Sequence, residues 1–344
     1  MKKIVIIGGG FAGAYCARKL EQDFEVTLID TKDYFEFTPS VLRTIVDPAH
    51  LKKIQVLHRH YLHKAKILQE EVRDITPLRI KVQRGSQPYD YLIISSGSTY
   101  NTPIKEKNLV IASRANELRS YAHQLQEAGS ILIIGGGLVG VELAAEIIAR
   151  YPAKKITLVH AAAELLERNP ARARQSAQKF LERRGVTILL NERVVSFKKK
   201  EFITDKKTIL TADLAFLCTG IKPNYEFLKK NFAVCLNDRN NLVVNDFLQL
   251  PGHAAIFAAG DITAIAEEKT AQNAEKQAQV VVKNIYHLER QQPLVAYHSL
   301  PRVMVISLGE WRGIVVYKNY VLTGIIPGIL KQLIEWKTMR KYRK

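Results

Sequence analysis

One pattern is written twice in this chain, as "IVIIGGGFAGAYCARKL" from Ile4 to Leu20 and as "ILIIGGGLVGVELAAEI" from Ile131 to Ile147. In each copy four apolar, largely β-branched residues run into G-x-G-x-x-G, and a helix-like stretch follows. Continuous apolar runs of this length suit strands covered on both faces of a parallel sheet. A second strand closes each unit: "EVTLID" ends at Asp30 and "KITLVH" ends at His160. A chain of 344 residues that is 47% hydrophobic is long enough for two or three such cores. Its composition excludes disordered and fibrous classes.

The glycines have separate tasks. In Gly8-x-Gly10-x-x-Gly13 the first makes the tight turn, the second admits a pyrophosphate to the backbone, and the third lets helix pack on strand. The helix N-terminus offers unpaired N–H groups and a partial positive charge to phosphates. Asp30, seventeen residues after Gly13 at the end of the next strand, is placed to accept hydrogen bonds from ribose hydroxyls. A turn that merely joins two elements is the plainer alternative. Gly135, Gly137 and Gly140 repeat the spacing, but His160 stands where an acid would. An acid there selects NAD and basic groups admit the 2′-phosphate of NADP. The expectation is NADH with NADPH tolerated; a strand-end histidine without a ligand role is the alternative. Two turns thus predict two dinucleotides.

Further strands are expected in "YDYLIISSG" (Tyr89–Gly97), "ADLAFLCTG" (Ala212–Gly220) and "HAAIFAAGD" (His253–Asp261), and a helix from about Thr270 to Glu289. Domain crossings are expected in "YNTPIKEKN" and near Asn237–Asn241.

The residues then resemble those of the two-dinucleotide flavoprotein reductases, and within them the type II NADH:quinone dehydrogenases and the apoptosis-inducing-factor-like (ferroptosis-suppressor-like) quinone reductases. The first turn, Asp30, "SSGS" at Ser95–Ser98, "CTGIKPN" at Cys218–Asn224 and "IFAAGD" at Ile256–Asp261 occur in that family's order. The resemblance implies an α/β fold of two Rossmann-like domains, the NAD domain inserted in the FAD domain. It implies FAD-binding residues 1–110 and 241–290, NAD(P)H-binding residues 111–240, and a small C-terminal region at 291–344. Gly8, Gly9, Gly10, Phe11, Ala12, Gly13 and Asp30 would hold the ADP half of FAD, with Arg43 of "FTPSVLR", Gly97 and Asp261 also at the flavin. Gly135, Gly137, Gly140, His160 and Gly220 would line NADH. Glu142, in "GVELAAE", matches a catalytic glutamate near the nicotinamide–flavin contact; an exposed first-turn glutamate answering the helix dipole is its alternative.

In "KTAQNAEKQAQVVVKNI" Gln272 and Gln277 match glutamines near the quinone of type II dehydrogenases, while Lys276 replaces the middle one. Lys269, Gln272 and Lys276 are the candidate quinone residues, against an ordinary amphipathic helix with surface glutamines. The implied activity carries a hydride from NADH to FAD and two electrons on to a membrane quinone, without proton pumping. The helix beginning near Thr270 would stabilise charge on reduced flavin. No metal ligand spacing is present, and His58, His60 and His63 read as surface charge beside Lys52, Lys53 and Arg59.

The three cysteines, Cys16, Cys218 and Cys235, include no CxxC and fit a reducing compartment. Absence of CxxC argues against disulfide reductases. Met-Lys-Lys before "IVII" is too short an apolar run for a signal peptide, and no acylation or prenylation motif is expected. The formal net charge of +18 points to an anionic partner. "PGILKQLIEWKTMRKYRK" from Pro327 puts Ile329, Leu330, Leu333 and Ile334 on one helical face with Trp336 close by. Lys331, Lys337, Arg340, Lys341, Arg343 and Lys344 stand against one acid, Glu335. That describes an interfacial helix on an anionic membrane, on the cytoplasmic side. A helix docked on its own domain, or on a second subunit of a homodimer, is the alternative. Deleting the tail is expected to leave flavin content unchanged. A redox sensor or nucleic-acid-binding protein is a second class, opposed by the lack of any recognition-helix, zinc-finger or RNP-like signature. A reductase of an acidic ferredoxin-like carrier is a third.

Overall fold

The computed structural model describes residues 1–100, 109–111, 115–299, 301 and 303–343. The stretch Asn101–Asn108, most of the first expected crossing, lies outside them, as does Lys344. The duplicated pattern becomes a duplicated architecture. In the first sheet the strands run in the order Gln249–Leu250, His253–Ala258, Tyr91–Ile94, Lys3–Ile7, Glu25–Asp30, Lys66–Gln69. All pairs are parallel except the edge hairpin at 249–258. In the second the order is Leu109–Ile111, Leu214–Leu217, Ser130–Ile134, Lys155–His160, Thr187–Leu190, parallel throughout. In both sheets the turn-bearing strand is internal, and the strand whose end faces the turn lies beside it.

The apolar runs are buried on both faces, as Ile4, Ile6, Ile131 and Ile133 show at 1% exposure or less. Each such side chain contributes roughly 1.5–3 kcal/mol. Helix Phe11–Leu20 follows the first turn and packs on the long helix Ala271–Glu289; helix Leu138–Arg150 follows the second.

A short antiparallel pair, Ser98–Tyr100 with Ile221–Pro223, joins the two units. The return therefore comes earlier than the expected crossing near Asn237–Asn241. By Tyr225, Leu228 and Phe232 the chain already packs in the core beneath Val5 and Ile7. The reason is burial: Tyr225, Leu228 and Phe232 share one core with Val5 and Ile7 of the first sheet and with Ile75 and Ile80 of the hairpin Val72–Thr76 and Arg79–Val82.

The C-terminal region forms a three-stranded antiparallel sheet (Val303–Ser307, Gly313–Tyr317, Tyr320–Gly324) that runs into helix Ile325–Tyr342. That tail helix docks on its own chain through Pro327, Gly328, Met339 and Tyr342, all buried. Its other face leaves Ile325, Ile326, Ile329, Leu333 and Trp336 exposed, beside an exposed Trp311. Among the described residues no helix is long and apolar enough to cross a membrane.

Candidate cofactor and redox site

The two turns are built alike. Gly8 and Gly135 have φ of +92° and +113°, the left-handed region in which a side chain is strained. A Cβ on Gly13 would strike the carbonyl oxygen of Gly8, and one on Gly140 that of Gly135. A Cβ on Gly10 or Gly137 would meet nothing within 4 Å. Close packing thus explains the outer glycines, while open space at the middle one fits an approaching pyrophosphate. Ser95 Oγ donates to the carbonyls of Ile7 (2.8 Å) and Gly8 (3.0 Å), pinning the first turn.

What lies beneath the turns differs. Under Gly9 the Asp30 carboxylate accepts from the Gly9 N–H and, at 2.9 Å, from that of Lys32. Under Gly136 lie the rings and branches of His160 and Leu165. The His160 Nε2 is buried without a hydrogen-bond partner, and desolvation lowers the pKa of the ring. His58 is also beneath the first turn, fully buried, so its expected place among surface charges is wrong. The short 3-10 turn His58–His60 turns its first ring inward and leaves Arg59 and His60 outside.

Past the strand His253–Ala258, at the same edge of the first sheet as the glycine turn, Asp261 accepts from Ser98 Oγ (2.8 Å), and burial raises its pKa. The preceding Gly260 N–H donates to Gln277 Oε1 at 2.7 Å, and Gln277 Nε2 donates to Glu267 at 2.6 Å. Gln277 is therefore committed inside the protein, and sequence matching alone does not reveal this. Lys269 Nζ is turned to the carbonyls of Thr263 (2.6 Å) and Ile265 (3.3 Å), Gln272 is exposed, and Lys276 is half-buried. Thr270 caps the long helix by accepting from Asn273 N–H at 3.2 Å. Gly97 and Gly220 take φ of +66° and +69° where the two linking strands begin.

Glu142 is buried, not an exposed first-turn acid. Its Oε1 accepts from Ser307 N–H (2.7 Å) and from Lys331 Nζ (2.5 Å), a lysine of the tail helix. One turn on, Glu146 takes Arg43 in a two-pronged pair (Nη2 3.0 Å, Nε 3.3 Å) and Ser307 Oγ at 3.1 Å. Burial opposes the charge on Arg43, but the Glu146 carboxylate outweighs it and raises the guanidinium pKa. Arg43 thus faces the second-turn helix. His50 Nε2 meets Glu335 of the tail at 3.0 Å. Burial works against the Glu335 carboxylate, but hydrogen bonds from His50 and Ser40 hold its pKa below the usual range. The i, i+4 spacing of Glu142 and Glu146 on an otherwise apolar helix was the available sequence signal for this cluster. Lys331, Ser307 and Glu335 come from so far along the chain that no local pattern points to them.

Among the described residues no group of three or more His, Cys, Asp or Glu is placed to hold a metal ion. The cysteines are all buried and lie far apart in the chain. Burial pushes the Cys218 thiol up to about 12 and raises those of Cys16 and Cys235 as well, the opposite of a reactive thiolate.

Comparison with known proteins agrees with this geometry. Residues 2–278 match the pyridine nucleotide-disulphide oxidoreductase family. Apoptosis-inducing factor homolog A of Dictyostelium discoideum is 32% identical over 96% of this chain and 88% of its own. Human ferroptosis suppressor protein 1 is 32% identical over 98% and 96%. In fold the chain is similar to the sulfide:quinone oxidoreductase of Aquifex aeolicus (TM-score 0.87, 21% identity, covering all of this chain and 92% of that one). It is equally similar to NDH2 of Plasmodium falciparum, solved with NADH (TM-score 0.87, 17% identity, 99% and 96%). The chain belongs to the pyridine nucleotide-disulphide oxidoreductase family and is an FAD- and NAD(P)-dependent oxidoreductase.

Proposed function

We propose that this protein is a peripheral-membrane NADH:quinone oxidoreductase. The observation that carries the reading is the pair of like-built turns with unlike floors, bridged by a tail helix whose outer face is apolar. FAD, when bound, supplies a ring system that accepts a hydride from NADH and passes two electrons to a quinone.

The residues divide the work of binding and orientation. Asp30 accepts from the adenosine ribose, and the open backbone at Gly10 and the helix behind it receive the pyrophosphate. Asp261, held by Ser98, would take the ribityl chain, and the N-terminus of helix Ala271–Glu289 would favour negative charge on a flavin bound there. Gly137 and the helix Leu138–Arg150 receive the pyrophosphate of NADH. With no acid at His160 the second site favours NADH only weakly over NADPH. NADH brings a hydride, so each quinol formed needs one further proton from solution. The Lys331 Nζ–Glu142 pair lies between the tail and the second-turn helix, and Glu142 would stand near the nicotinamide–flavin contact. Exposed Ile325, Ile329, Leu333 and Trp336, with Lys337 and Arg340 also exposed, would lie on an anionic bilayer, where long-tailed quinones reside.

The test is steady-state NADH oxidation by the yellow protein with short- and long-tailed quinones, with and without anionic liposomes. Quinone-dependent turnover that rises with liposomes is expected. Flavin reduced by NADH but left unoxidised by every quinone would overturn the reading in favour of an acidic carrier protein as acceptor.

A further inference from the structure

The His58 ring sits under the first turn, against Gly9 and the Asp30 carboxylate, with no exposure to solvent. Its Nδ1 is 2.6 Å from the Tyr61 hydroxyl, while its Nε2 is 3.9 Å from Asp30 Oδ2, too long for a hydrogen bond. Tyr61 packs edge-on against Tyr342 of the tail helix (centroids 4.9 Å apart), and Tyr342 stacks on Phe35 (4.1 Å), which meets Phe11 of the turn itself (5.1 Å). Arg18, on the helix after that turn, lies over the Tyr342 ring and donates to the Lys341 carbonyl at 2.5 Å. An unbroken set of rings therefore runs from the last turn of the chain to the acid of the first cofactor turn.

We propose that His58 is a positioning residue for the flavin site, holding the Asp30 carboxylate under the first turn, with Tyr61 and the tail's Tyr342 fixing its ring. The argument rests on tautomers. If Nδ1 carried the proton, the Nε2 lone pair would face a carboxylate in a buried site, an arrangement of two acceptors. If Tyr61 instead donates to Nδ1, the proton sits on Nε2 and points toward Asp30. Burial pushes the Tyr61 hydroxyl far up from its ordinary pKa, so the phenol keeps the proton it donates. Burial also lowers the pKa of His58, keeping the ring neutral. The neutral Nε2–H leaves the Asp30 charge intact, so its remaining lone pairs stay available to ribose hydroxyls. Tyr342 of the tail helix packs edge-on against Tyr61 and so ties this set of rings to the C-terminus.

This inference rests on the reading of Asp30 as the ribose acid, and a double-mutant cycle separates the two. FAD affinity is measured by flavin fluorescence on apoprotein stripped of flavin, for His58→Leu, His58→Gln, Tyr61→Phe and Asp30→Asn, alone and combined. NADH affinity for the second turn is the internal control. His58→Leu is expected to weaken FAD binding several-fold, through loss of the N–H dipole that faces the Asp30 charge across 3.9 Å. His58→Gln, whose amide N–H can still face Asp30, regains most of that. Tyr61→Phe costs several-fold, and neither His58→Leu nor Tyr61→Phe costs anything further once Asp30 is Asn. Unchanged FAD affinity in His58→Leu, or an equal loss with and without Asp30, overturns the inference. If His58→Leu does not fold, His58→Gln and Tyr61→Phe carry the same cycle. If Asp30→Asn alone leaves FAD affinity unchanged, the reading of Asp30 fails and the role of His58 with it.

Discussion

Two turns with the same backbone rest on different floors. Beneath the first, a carboxylate accepts from the turn's own N–H, with a buried histidine behind it. Beneath the second, a neutral imidazole packs against the backbone and makes no hydrogen bond through Nε2. Under the proposed function the first arrangement would hold its ligand's ribose and suit a cofactor that stays. The second offers shape and a helix N-terminus but little to hold a hydroxyl, which suits a cofactor that binds and leaves. The glycine spacing encodes the turn; in the proposed function the residue at the end of the next strand sets how tightly it grips.

The largest expected effect comes from breaking what the two turns share. Gly13→Val and Gly140→Val drive a branched side chain into the carbonyl of Gly8 or Gly135, and overpacking against backbone costs about 3 kcal/mol or more. Gly10→Ala and Gly137→Ala have open space and should leave folding intact, yet they would intrude where the proposed function places the pyrophosphate. The outer substitutions should lower the midpoint of urea unfolding. The inner ones should leave it in place and weaken FAD or NADH binding respectively. An equal loss of stability in all four would show that the middle glycines are structural too.

Next in size is the bridge between the halves. Lys331→Met leaves the Glu142 carboxylate buried with only the Ser307 N–H, and an uncompensated buried charge costs about 3 kcal/mol. Turnover with quinone should fall at least tenfold, and Glu142→Gln on top of Lys331→Met should recover stability without recovering turnover. Deleting the chain after Pro327 removes the same lysine and also Met339 and Tyr342, which are part of the core that contains Phe35 and Tyr61. The expectation that flavin content survives that deletion is therefore revised: flavin loading, read from the visible spectrum of the purified protein, should fall along with liposome binding.

Smaller is the difference between the floors themselves. His160→Asp would give the second turn the acid that the first has. It should favour NADH over NADPH about tenfold more than the native protein does, in the ratio of kcat/KM values, because a carboxylate accepts from the 2′-OH and repels a 2′-phosphate. An unchanged ratio would place His160 out of reach of the ribose.

How much of this was legible follows from how local each signal is. The strands Glu25–Asp30 and Lys155–His160 end where the patterns end, and the helix Ala271–Glu289 starts one residue after the threonine expected to open it. Those features depend on runs of neighbours. His58 was misread because Arg59 and His60 beside it are exposed, and a tight 3-10 turn separates side chains that the sequence groups together. Lys331 and Lys341 read as membrane charges, yet they pair with Glu142 and Glu275 across the fold. Such pairing is set by how the tail lies on the body, which no stretch of the tail encodes alone.

The smallest expected effect is a pH dependence that separates the two histidines beneath the turns. Burial lowers both pKa values, that of His58 to about 4. A histidine whose folded pKa lies below its unfolded value binds more protons when unfolded, so stability rises with pH across the interval between the two. For His58 the loss on acidification begins near pH 6.5 and continues toward pH 4, at roughly 1.4 kcal/mol per unit when fully developed. Glu335 acts in the same direction over a lower interval: its depressed pKa stabilises above the ordinary carboxylate range, and that contribution is lost as the pH falls through that range and below it. Urea unfolding between pH 7 and 5.5 therefore reports the histidines and not the tail carboxylate. The native protein should lose about 1 kcal/mol over that interval. His58→Gln should remove most of the slope. His160→Gln should remove less, because its ring is only half-buried and solvent screens it. Equal slopes for the two variants would mean that the floors differ in the acid alone, and not in the histidine behind it.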